Sequence, residues 1–91
     1  MKIQEVAYHR NGVSGEGFHV VTFKSDRRIS QGATRKFPDM VAVVYEERGK
    51  VAVFDRDLLA AGVIAFGENS WRAEAFEPEL RAAIKEYEDN L

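Results

Sequence analysis

Ninety-one residues with a formal net charge of −2 give enough chain for one small domain, near the lower end of what folds without staples. There are no cysteines, which excludes disulfides and thiolate metal sites and fits a cytoplasmic protein. The slight negative charge argues against general affinity for nucleic acid, though not against a local basic patch.

The N-terminal MKIQEVAYHR lacks an apolar core of the kind that signal peptides carry. No run approaches the roughly 20 apolar residues that span a bilayer, so no membrane association is expected. Residues 2–9, KIQEVAYH, lead with β-formers and lack helix caps, which predicts a strand. Residues 18–24, FHVVTFK, predict a second one. Between them, Asn11-Gly12 favours the positive φ angles of a tight hairpin turn, while Gly15 and Gly17 suggest a bulge or a wider loop.

Residues 25–39, SDRRISQGATRKFPD, form the least regular stretch, a connection long enough to suggest function or mobility. Residues 40–47 and 50–55 then read as a hairpin around Arg48-Gly49. With a two-residue turn, Tyr45 faces Ala52 and Val43 faces Phe54, so these four share one face while Val44 and Val53 point the other way. Asp55 has the character of an N-cap for a short helix RDLLAA that Gly62 ends.

The stretch 63–78, VIAFGENSWRAEAFEP, holds the single tryptophan, Trp71, flanked by Phe66 and Phe76. It joins strands to helix, and its aromatics are expected to fill the seam between the two layers. Asn69 or Ser70 could cap a turn there, and Glu68 and Arg72 remain free to meet a partner. Pro78 opens the last helix, where its missing N–H costs nothing. Leu80, Ala83, Ile84, Tyr87 and Leu91 repeat at helical spacing and predict one buried stripe. The expected fold class is α+β: an antiparallel sheet of about four strands packed against a C-terminal helix, plus a short helix before the tryptophan turn.

Chemistry-bearing constellations are few. His9 and His19 could be neighbours across the first hairpin, with Glu5, Glu16 or Asp26 as a third ligand, but the spacing matches no metal signature. Two histidines on a solvated strand edge is the plainer account, so no metal and no cofactor is expected. Gly12, Gly15 and Gly17 lead into a strand rather than a helix, which excludes a dinucleotide loop. No serine sits in a nucleophile elbow or beside an obvious base, and no catalytic residue is assigned.

Charge offers more. Lys24, Arg27, Arg28, Arg35 and Lys36 place five positive charges in thirteen residues, against Asp26 alone. They could meet the phosphates of a nucleic acid, or simply keep a loop solvated. From Glu68 onward the balance reverses, with seven acids and three bases. Two oppositely charged regions and no catalytic constellation point to a non-enzymatic interaction module, with nucleic-acid binding through 24–36 as the alternative. The partner-facing candidates are Lys24, Arg27, Arg28, Arg35, Lys36, Glu68 and Arg72. A homodimer could cover a sheet face left partly apolar around Val44 and Val53.

The segments AYHRNG (7–12), IAFGENSWR (64–72) and FEPELRAAI (76–84) resemble a group of small uncharacterised proteins found in bacterial and mobile-element (phage and plasmid) genomes. The resemblance carries no activity, cofactor or catalytic residue. It implies a small accessory protein that binds and inhibits a host protein or nucleoprotein, as anti-CRISPR proteins do.

Overall fold

A computed structural model describes residues 1–24, 39–47, 51–60 and 76–91. Four strands form one antiparallel sheet in the order β1-β2-β3-β4, so each strand lies beside its neighbour in sequence. They are β1 (Lys2–Arg10), β2 (Gly17–Lys24), β3 (Asp39–Tyr45) and β4 (Val51–Asp55), followed by helices α1 (Arg56–Ala60) and α2 (Glu77–Asp89). The architecture is α+β. No helix among the described residues is long and apolar enough to cross a membrane.

The register assigns each side chain to a face. One face carries Val21 and Phe23 of β2, Met40, Ala42 and Val44 of β3, and Val51 and Val53 of β4. Phe76, Leu80 and Ile84 close over it from α2, with the Phe76 ring 5.4 Å from that of Phe23. The opposite face holds Val41, Val43 and Phe54, joined by Phe18, Val20, Tyr45, Ala52 and Leu59 of α1. The face around Val44 and Val53, for which a second subunit was a candidate cover, is buried within the chain itself, in one cluster with Phe76, Leu80 and Ile84.

Strand β1 reaches the α2 face by an irregularity. Ile3 pairs with Phe23, but Glu5 pairs with Thr22, leaving Gln4 as the extra residue of a bulge. That offset lets Ile3 and Val6, three apart, both pack on the α2 side.

Two turns differ from the sequence expectation. In the β1–β2 connection, Asn11 and Gly12 do not take positive φ; among the described residues only Gly15 does, at φ 75°. Asn11 works through its side chain, whose Oδ1 accepts from Val13 N at 2.9 Å and Ser14 N at 3.0 Å. In the second hairpin Val43 faces Ala52 and Val41 faces Phe54, two residues out of step with a two-residue Arg48-Gly49 turn. A shift of two keeps every side chain on its expected face, since strand side chains alternate with period two. Arg48 and Gly49 themselves lie outside the described residues.

Asp55 does cap α1, its Oδ1 accepting from Asp57 N at 3.0 Å. The tryptophan turn into which that helix leads lies outside the described residues. In α2 the apolar stripe holds for four of its five members: Leu80 and Ile84 are buried and Ala83 and Tyr87 half-buried. Leu91 is 86% exposed. The helix ends at Asp89, and the Asn90 side chain donates to the Glu86 carbonyl at 2.8 Å, so residue 91 lies past the last turn.

Candidate docking edge and the histidine cleft

Strand β1 is an edge of the sheet among the described residues. An edge strand pairs through half of its backbone groups and presents the other half outward. Beside it, β1 and the C-terminal half of α2 enclose a groove of about 440 Å³. Ile3, Val6, Ala83, Tyr87 and Leu91 give it an apolar floor with Glu86 at its rim, while Glu5 borders it along the strand but pairs with Thr22 and so alternates to the opposite face. Among the described residues, the arrangement couples a backbone edge with no neighbouring strand on its outer side to a largely apolar channel with Glu86 at its rim.

A second, smaller cleft of about 260 Å³ opens where β2 and β3 meet α2. His19 lines it and is 5% exposed. This corrects the expectation of a solvated strand edge. β2 is an internal strand, and His19 alternates in phase with buried Val21 and Phe23, a signal already present in FHVVTFK. The His19 ring meets Tyr8 edge-on at 4.9 Å and Tyr87 edge-on at 6.0 Å. Glu46 lines the cleft from just past the end of β3, and Arg81, Lys85 and Glu88 line it from α2; the two bases pair along the helix with Glu77 at 2.8 Å and Asp89 at 3.5 Å.

Tyr8 fixes this corner. Burial, then a hydrogen bond with the Glu46 carboxylate, raises its phenol above the ordinary 10.0. Its ring lies over Gly17, where a Cβ would collide with the hydroxyl and come within 2.8 Å of Glu46 Oε2. Arg10 stacks on the ring's other environment, its guanidinium 5.9 Å from the centroid.

The two histidines do not meet. His19 pairs with Tyr8, while His9 pairs with Phe18, so successive positions send them to opposite faces. His9 joins an aromatic row instead, 5.6 Å from Phe18, which is 5.0 Å from Tyr45. Among the described residues no group of three His, Cys, Asp or Glu side chains is placed to hold a metal ion.

Of the sequence-predicted partner residues, Lys24 is exposed at the end of β2, between Lys2 of β1 and Asp39 of β3. Arg27, Arg28, Arg35, Lys36, Glu68 and Arg72 lie outside the described residues, as does Asp26. The groove beside β1 was not anticipated from sequence, because it needs the edge position of β1 and the seating of α2 together. Comparison with protein-family models, curated proteins and solved structures gave no match.

Proposed function

We propose that this protein is a non-enzymatic interaction module that takes up an extended segment of a protein partner along β1. The observation that carries the reading is the groove between β1 and α2, with its apolar floor and Glu86 at its rim. Strand addition would supply main-chain hydrogen bonds to the edge, and alternate side chains of the incoming segment would enter the groove. Glu86 favours a segment that carries a basic residue among apolar ones. The mobile-element resemblance makes a host protein or nucleoprotein the natural partner class, with inhibition by occlusion as the effect.

A library of extended ten-residue peptides presented to the folded protein tests this. Selected peptides should alternate apolar residues, carry Lys or Arg, and slow amide exchange in β1, and Glu86→Lys should weaken them about tenfold. Selection that leaves β1 exchange unchanged would remove the reading.

One observation favours the nucleic-acid alternative. Lys2 lies directly across from Lys24, extending the basic run 24–36 onto the sheet despite the unfavourable like-charge pairing. That reading predicts single-stranded nucleic-acid binding that falls steeply with salt and is lost on reversing Arg27, Arg28 and Arg35. Binding that is absent, or indifferent to salt, would exclude it.

A further inference from the structure

We infer that the extended segment first taken up by β1 is β1 of a second copy, so that two chains join into an eight-stranded antiparallel sheet and mask the docking edge. The inference rests on the reading of β1 as that edge and names its resident partner.

The groove offers apolar Ile3, Val6, Ala83, Tyr87 and Leu91 on the α2 side of β1, so it suits an extended segment whose alternate side chains on that side are apolar or aromatic. The regular part of β1 beyond the bulge, Glu5–Arg10, is such a segment, with Val6 and Tyr8 alternating on the α2 side. A two-fold axis normal to the sheet would run the strands antiparallel and leave both helices on one face.

Register then decides whether the contact is self-complementary. With Ala7 opposite Ala7 of the second copy, Glu5 faces its His9 and Val6 faces its Tyr8, and symmetry repeats each pair. Facing residues share a face, so Glu5 and His9 meet on one side of the sheet and Val6 and Tyr8 on the other. Centring on Val6 instead runs the Lys2 end of each strand onto the Arg10 end of the other. Centring on Tyr8 sets Val6 against Arg10 and shortens the overlap. Of these, only the Ala7 register sets a carboxylate against an imidazole and apolar against aromatic.

The helices support the same contact. Half-buried Ala83 and Tyr87 and 86% exposed Leu91 line the groove on the side that a second α2 would approach. Charged residues on an edge strand ordinarily serve to prevent pairing. Here Glu5 and His9 are placed so that one register brings unlike groups together. Self-pairing also gives docking a concentration dependence, because a heterologous strand must displace the second copy.

Sedimentation equilibrium on the full chain, across micromolar to millimolar protein, tests the inference. Both positions are exposed, and circular dichroism monitors the fold of each variant. The natural chain should dimerise. Glu5→Lys and His9→Glu should each weaken the dimer about tenfold, and the two together should restore it. A folded chain that stays monomeric throughout, a dimer indifferent to both reversals, or a double variant that fails to recover would overturn the inference. A monomer that still binds peptides along β1 would overturn self-pairing while leaving the docking reading intact. A dimer that recovers in the double variant, with no peptide ever competing, would do the opposite.

Discussion

Gly17 is required by what sits above it rather than by its own backbone angles. It pairs with Arg10 across the sheet, and the Tyr8 ring crosses diagonally to fill the space a side chain would take. Gly17→Ala should cost about 1–3 kcal/mol, the usual range for overpacking a well-filled site, measured as a shift in urea midpoint. Part of that cost should return in a Tyr8→Phe background, which removes the hydroxyl but keeps the ring carbon 2.8 Å from the new Cβ. The same tyrosine carries a pH dependence. Its raised phenol means that the folded chain keeps the proton to higher pH than the unfolded chain does. The contribution is therefore complete below the ordinary 10.0 and is lost as pH rises through the folded value. Denaturant midpoints between neutral pH and the alkaline range should fall more steeply for the natural chain than for Tyr8→Phe. Equal slopes would mean that the hydroxyl is not held by Glu46.

At the scale of elements, period and phase made the fold legible. Alternation in FHVVTFK and MVAVVY and the stripe Leu80, Ala83, Ile84, Tyr87 are direct consequences of side chains that must leave water, so strands and helix could be placed from residues alone. The β3–β4 register was not legible, because Arg48-Gly49 suits a two-residue turn while strand packing selects pairs two residues away. The bulge at Gln4 is likewise fixed by packing: without it Ile3 and Val6 would face opposite sides. His9 and His19 looked alike only when phase was ignored, and Leu91 fits the helical stripe in spacing but not in extent. These distinctions predict different costs along α2. Leu80→Ala removes a fully buried side chain and should cost about 2–5 kcal/mol. Leu91→Ala should leave monomer stability within about 0.5 kcal/mol. At the other helix, Asp55→Ala should cost about 0.5–2 kcal/mol through loss of the cap on Asp57 N. Chemical denaturation of the three variants orders them directly.

At the scale of the whole molecule, the sheet of the described residues has two unlike faces, with β1 and β4 at its edges. Leu80 and Ile84 of α2 join the cluster of Phe23, Met40 and Val53 on one face, whereas Leu59 of α1 packs near Val41, Val43 and Phe54 on the other. β2 and β3 are hydrogen-bonded on both sides, and β1 on one side among the described residues. Local opening should follow that order. Native-state hydrogen exchange should find the slowest amides in β2 and β3, near the global unfolding limit. In β1, amides aimed at β2 should be protected and those aimed outward should exchange quickly in dilute solution. If the edge is shared with a second copy, the outward amides alone should slow as protein concentration rises, while β2 and β3 rates stay put. That alternation at every second residue separates strand pairing from any contact made by side chains, since a side-chain interface would not protect backbone amides with period two. Uniform slowing across β1 would place the contact elsewhere.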